Sequence, residues 1–361
     1  MAAVKEAVSG LVYDDILPVA KAELPWEQLK GKTLLITGAG GFISYYVILG
    51  ILAKNDMDAT DITVIGLVRS RERAEKKYGT LLERKDFKLY EQDVCEDFQI
   101  KEKADYVIHA ASQASAWHFE NDPVGTLNAN LTGTAKALEY AKSSKSRSVL
   151  FVSSLKVYGA VHDGSKVLKE DTTGYIDHTL YKNCYAQGKR AAETLCAAYH
   201  KSYGMSVKIA RPSYIYGPAS MEDDRVWAQF LANVVKKENI LLKSSGSAYR
   251  SFCYVADAAA ALLTILLKGE DMMPYNIAAS HSDITIRGFA KTAVEAFPER
   301  NLTLSFARKE DEQETDSSLF DAAPEILDHE RLDGLGFHAG IDLKNGIRRA
   351  VMILEERNQS C

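Results

Sequence analysis

A chain of 361 residues with 46% apolar and 26% charged side chains has ordinary globular composition, and it is long enough for one large core with a smaller lobe beside it. Its net charge of −5 argues against the basic stripe that a nucleic-acid partner needs, and its longest apolar run, Ala258 to Leu267, is too short to span a bilayer. Five cysteines, odd in number and without close paired spacings, suggest neither a disulfide framework nor a metal site; with no signal-peptide pattern at the N-terminus, the expectation is a reducing cytoplasm, no membrane partner and no metal.

Residues 1–30 read as an amphipathic helical extension whose Leu11, Ile16, Leu17 and Trp26 can pack on the body. From Lys32 onward, short β-rich runs alternate with helical patterns. KTLLITG is a strand and GFISYYVILGILAKN a helix; DITVIGLV is a strand, followed by the charged helix RERAEKKYGTLLER. FKLYEQDV, DYVIHAAS, SVLFVSS and SVKIARPS continue the strand series, with helical stretches between most of them. Strands joined by helical crossovers imply an α/β fold, a Rossmann-type doubly wound parallel sheet over residues 31–212. Residues 213–361 are less regular and read mainly as a smaller substrate-binding lobe, interleaved with the last sheet elements. They hold the helix RVWAQFLANVVKK, the short strand ILLKSSG and the segment RSFCYVADAAAALLTILLKG, then a charged loop from Ala307 to Phe320.

TGAGGFIS, Thr37 to Ser44, follows a strand and opens a helix. Gly38 and Gly41, with Gly40 between them, permit a tight turn and close backbone approach to a pyrophosphate, which the helix N-terminus at Phe42 and Ile43 stabilises. Ser44 stands where a third glycine is common. Asp93 and Val94 end a later strand, where Asp93 can accept from an adenine amino group; Ala110, Ala111 and Ser112 end the next and are small enough to admit a dinucleotide. The second strand ends in Arg69, not the acid that holds an adenosine ribose. With Arg71 nearby, this leans an NAD or NADP site toward NADP(H), although Arg69 can equally stack on adenine or face solvent.

Tyr185 and Lys189 lie one turn apart on a helix, so an ammonium there favours the phenolate of its neighbour and equips it to exchange a sugar hydroxyl proton. Ser153 and Ser154 end the preceding strand, where a hydroxyl can bond the same substrate oxygen, and Asn130 can support the lysine through backbone or water.

The ordered set TGAGGFIS, DV, HAAS, NxxGT, SSxxVYG, YxxxK, RP-x(4)-GP and R-x-F-x-Y-V-x-D, running from about Lys32 to Gly336, resembles the extended short-chain dehydrogenase/reductase family of nucleotide-sugar epimerases and dehydratases. The resemblance implies Ser154 and Tyr185 as catalytic residues and Lys189 as activator and nicotinamide-ribose ligand, with Asn130 in support. It implies Arg250 against the substrate diphosphate, Tyr214 where relatives carry an asparagine of that subsite, and a homodimer built on two helices. Relatives that eliminate water or carbon dioxide carry an acid after the Ser/Thr, whereas this chain has Leu155 and Lys156, so the first expectation is a nucleotide-sugar epimerase. A reductase with dissociable NADP(H) and a dehydratase or uronate decarboxylase are the alternatives. A non-catalytic dinucleotide-binding module explains the glycine turn but not Ser154, Tyr185 and Lys189 together.

Overall fold

The computed structural model describes residues 3–161, 165–307 and 325–359. Most of the charged loop expected at Ala307 to Phe320 lies outside them.

The strands β1 (Thr33–Thr37), β2 (Thr63–Val68), β3 (Phe87–Glu91), β4 (Tyr106–His109) and β5 (Ser148–Val152) are short runs rich in aliphatic and β-branched residues, β1, β2, β4 and β5 almost wholly buried. With β7 (Val207–Pro212) and β11 (Pro274–Ile277) they form a seven-stranded parallel sheet in the order β11-β7-β5-β4-β1-β2-β3. That is the doubly wound arrangement, and it places a crevice at the carboxyl ends of β1 and β4, where the order reverses. Three small sheets complete the strands: β8 (Tyr214–Tyr216), β10 (Tyr249–Tyr254) and β12 (Asp283–Thr285); β9 (Ile240–Leu242) with β13 (Leu304–Phe306); and β6 (Val167–Leu168) with β14 (Ile326–Leu327).

The helices are α1 (Val4–Ala7), α2 (Gly10–Ala20), α3 (Phe42–Asp58), α4 (Arg71–Tyr78), α5 (Ala116–Asn121) and α6 (Pro123–Ser144), then α7 (Cys184–Tyr203), α8 (Val226–Lys236), α9 (Val255–Lys268), α10 (Ile286–Glu295), α11 (Glu330–Asp333) and α12 (Leu343–Gln359). Among the described residues no helix is long and apolar enough to cross a membrane. α9 is apolar all round because it is buried all round, between the sheet, α2 and α3.

The N-terminal extension is integral to this core. Ile16 and Trp26 are buried and Leu11 and Leu17 half-buried; a Cβ on Gly50 of α3 would collide with Val19, so α2 seats the Val19 side chain where α3 has none. The buried Asp15 accepts from Tyr46 (2.6 Å) and Tyr254 (2.8 Å), with Arg349 of α12 at 3.5 Å. Burial raises its pKa against the pull of those partners.

Candidate active site

β1 delivers the chain into the glycine turn. Gly38 has φ +68°, and a Cβ there would stand 2.8 Å from Ala111 Cα, so this residue must be glycine for β1 and β4 to close. Gly41 caps α3 without a side chain, which leaves the first-turn N–H groups free of any side-chain cap, and a Cβ on Gly40 would meet only Val68, at 4.0 Å. A bare helix N-terminus behind backbone without side chains fits a pyrophosphate. Phe42 and Ile43 open α3, with Phe42 stacked on Trp227. Sequence reasoning missed Lys77. Its ammonium donates to the carbonyls of Gly40 (2.9 Å) and Gly41 (3.1 Å), fixing the turn, and burial, with the charge of Arg357, lowers its pKa to about 8.

Thr37, His109 and Thr134 form a buried chain behind the crevice. Thr134 donates to the carbonyl of Asn130, so the His109 Nε2 at 3.1 Å must carry the proton, and Nδ1 accepts from Thr37 at 2.8 Å. Thr37 Oγ1 in turn accepts from the Ala111 N–H. Burial, with the charge of Lys189, lowers the His109 pKa to about 3, well below the usual 6.5. Between those values the unfolded chain takes up a proton that the folded one refuses, so stability is complete above pH 6.5 and is lost as pH falls toward 3. Urea unfolding at pH 7 and 4.5 should show His109 alone costing about 2 to 3 kcal/mol at the lower pH. His109→Gln should flatten that difference, and equal slopes in both proteins would remove His109 from the account.

Other residues on the cofactor side sort themselves. Ser112 donates to Asn130 Oδ1 at 2.9 Å, and Ala110 and Ala111 line the end of β4. Asp93 is exposed and accepts from the Cys95 N–H, whereas Val94 is buried where a Cβ on Gly133 would press on it. Arg69 is exposed at the end of β2, its charge felt by Cys95 and Asp122, while Arg71 pairs with Glu75 along α4.

Tyr185, Lys189 and Ser154 come together from α7 and the end of β5. Ser154 hydrogen-bonds the Tyr185 phenol and Phe119 of α5 stacks on its ring at 5.0 Å. Lys189 is buried, donates to the Val152 carbonyl at 2.7 Å and lies 5.8 Å from the Tyr185 ring centre. The expected electrostatics need correcting. Burial raises the Tyr185 pKa, the Ser154 bond and the charge of Lys156 oppose it, and Lys189 is itself lowered to about 7 because its ammonium is desolvated. Asn130 makes no direct hydrogen bond to Lys189. Its amide donates to Thr126 at 2.9 Å, and its Cβ abuts Gly188, the residue before the lysine.

Ser153 does not fit the substrate role expected of it. It is buried and donates to Glu193 at 2.6 Å, and Glu193 is held by both Arg211 Nε (2.9 Å) and Nη2 (2.6 Å), a network the sequence did not reveal. Tyr214 and Arg250 converge on Glu325, another residue the sequence reading missed: Tyr214 donates to it at 2.5 Å, Arg250 Nε lies at 2.9 Å and Lys156 at 2.8 Å. Arg250 also donates to the Tyr249 carbonyl, so in this structure it faces Glu325. Tyr216 is core, packed among Phe252, Tyr254 and Phe289. No group of three or more His, Cys, Asp or Glu among the described residues is placed to hold a metal.

A parallel doubly wound sheet, a glycine cradle at its switch point and a Ser–Tyr–Lys group beside it define the class: an extended short-chain dehydrogenase/reductase. The chain belongs to the NAD dependent epimerase/dehydratase family, whose model matches residues 34–278. Among curated proteins it is 32% identical over 267 residues to UDP-glucuronic acid decarboxylase 5 of Arabidopsis thaliana, covering 73% of this chain and 74% of that one. Among solved structures it resembles an epimerase of Methanothermobacter thermautotrophicus, with TM-score 0.78, 19% identity and coverage of 96% and 97% of the two chains. It also resembles the UDP-glucuronic acid 4-epimerase of Bacillus cereus in complex with UDP-glucuronic acid and NAD, with TM-score 0.73, 18% identity and coverage of 90% and 99%.

Proposed function

We propose that this protein epimerises the sugar of a nucleotide-diphosphate sugar through a transient keto sugar. The bound nicotinamide supplies a hydride acceptor and donor. Tyr185 takes and returns the proton of the reacting hydroxyl, Ser154 hydrogen-bonds the same oxygen, and Lys189, behind them, orients the cofactor ribose. Gly38, Gly40 and Gly41 with Phe42 and Ile43 hold the pyrophosphate; Asp93, Val94 and Ala110 to Ser112 border the adenine and ribose. The family is NAD-dependent, while the exposed Arg69 leaves room for a 2′-phosphate.

The observation that carries the reading is the chemistry after Ser154. Leu155 is buried and apolar, and Lys156 is held charged by Glu325 and Tyr214, which raise its pKa above the ordinary lysine value. Neither can take a proton from sugar carbon, so elimination of water lacks its base. Loss of carbon dioxide from a uronic acid is the second reading, favoured by the 32% identity to a UDP-glucuronic acid decarboxylase and by Glu325, which brings a carboxylate to the side chain of Lys156. A homodimer, a cytoplasmic setting and a division of labour between residues 31–212 and 213–361 belong to the same reading.

Proton NMR of the sugar after incubation with UDP-glucuronate or UDP-glucose separates the cases. The expected product keeps every carbon and inverts the coupling at one ring position. A pentose product with released carbon dioxide would replace the epimerase reading with the decarboxylase one.

A further inference from the structure

Two neighbouring side chains of α4 grip the glycine turn from behind, and no step of the reading above uses them. The Tyr78 hydroxyl donates to the Ala39 carbonyl at 2.7 Å, and the Lys77 ammonium donates to Gly40 at 2.9 Å and Gly41 at 3.1 Å. Three successive carbonyls of the turn are thus taken from one side. In a trans peptide the N–H points away from its own C=O, so the N–H groups of Gly40, Gly41 and Phe42 face the opposite side. Gly41 uses its N–H on the Gly38 carbonyl at 2.8 Å, which leaves those of Gly40 and Phe42 aimed outward from a helix start without a side-chain cap.

Lys77 brings charge as well as geometry. Its ammonium stands 4.6 Å from the centre of the Tyr45 ring, and Tyr45 in turn packs on Tyr78 at 5.4 Å. The charge that acts on it is that of Arg357 on α12, which is anchored by its bond to the Pro218 carbonyl at 2.9 Å. Among the described residues no carboxylate offsets the pair. Two cations therefore stand behind backbone whose donors point forward. Burial, beside a second cation, is why this ammonium gives up its proton near pH 8.

We propose that Lys77 is a positioning residue for the dinucleotide, holding the turn in its pyrophosphate-binding form while it carries a proton, so that cofactor binding and protonation of Lys77 reinforce each other. The inference rests on the dinucleotide assignment above and is independent of which sugar is turned over. A neutral amine donates to the two carbonyls more weakly and brings no charge. The negative charges of a pyrophosphate on the far side of the same peptides stabilise the ammonium, so the complex holds this proton to higher pH than the free protein does. Binding therefore takes up a proton. Affinity is full below about pH 7 and falls as pH rises through 8.

Calorimetric titration of the dinucleotide-free protein with NAD⁺, in buffers of differing ionisation enthalpy, counts the protons. Lys77→Arg stays charged throughout and serves as the reference, since it subtracts any proton exchanged by Lys189. Relative to it, the wild type should take up about half a proton more per NAD⁺ at pH 8, and its affinity should fall about ten- to thirtyfold further between pH 7 and pH 9.5. Lys77→Met should bind roughly ten- to hundredfold more weakly than wild type at pH 7, without the extra proton. Equal uptake and equal pH profiles in wild type and Lys77→Arg overturn the inference. So does a Lys77→Met protein of wild-type affinity, or one that is weakened yet keeps the wild-type uptake, which would leave Lys77 a purely structural part. Should Lys77→Met fail to fold, the wild-type and Lys77→Arg profiles decide the matter. Binding of neither NAD⁺ nor NADP⁺ overturns the dinucleotide assignment beneath it.

Discussion

Tyr185→Phe should lower turnover by about 10²- to 10⁴-fold, the usual contribution of a positioned proton-transfer group, while the protein still binds its dinucleotide. The phenol oxygen is the only atom removed. The ring remains stacked on Phe119, and the Gly38 to Gly41 cradle does not involve it. Because burial raises the phenol pKa and Ser154 opposes that rise, Ser154→Ala should also slow the reaction and move the rising limb of its pH profile, where the phenolate forms, to higher pH. Rates from product NMR, paired with cofactor titration, check both. A Phe variant with near-normal turnover would take the proton-transfer role from Tyr185. A variant that also lost the cofactor would mean that the phenol helps to build the site.

Gly38→Ala should destabilise the fold by about 2 to 4 kcal/mol and loosen the dinucleotide, because two costs add. A left-handed backbone conformation is strained for an L side chain, and the new methyl would press on the Ala111 backbone at 2.8 Å. Neither neighbour can move alone, since Ala111 is tied through its N–H to Thr37 on β1. Urea unfolding and cofactor titration read the two effects separately. Unchanged values in both would show that the turn relaxes freely and is not a cradle. Gly40→Ala, with its new methyl 4.0 Å from Val68, should be much milder for stability.

Local chemistry was legible in the sequence. The step from β1 through the glycine turn to α3, the parallel strand series, and the helical spacing of Tyr185 and Lys189 all follow from residue periodicity within short windows. What escaped was the pairing of distant polar groups. Glu325 reaches Lys156 across 169 residues, and Arg211 reaches Glu193 only because β7 and α7 are packed together. Ser153 was misread for a reason the sequence did contain: successive residues of an extended strand point to opposite sides, so Ser153 and Ser154 could not both face one pocket. The electrostatic sign at Tyr185 was misread because helical spacing reports adjacency to Lys189 but not the burial of both groups, which dominates their titration.

The carboxylate of Asp15 bears on synthesis. Its partners Tyr254 and Arg349 are distant in the chain, the latter by 334 residues. At a translation rate of about 5 to 20 residues per second, α2 leaves the ribosome roughly 20 to 70 s before α12 exists to meet it. During that interval Ile16, Val19 and Ala20, buried in the finished protein, have no complete surface to cover them. The nascent chain therefore carries an early apolar helix that α3 can begin to cover at once but that α9 and α12 must complete, and chaperone demand should fall on that helix until they are made.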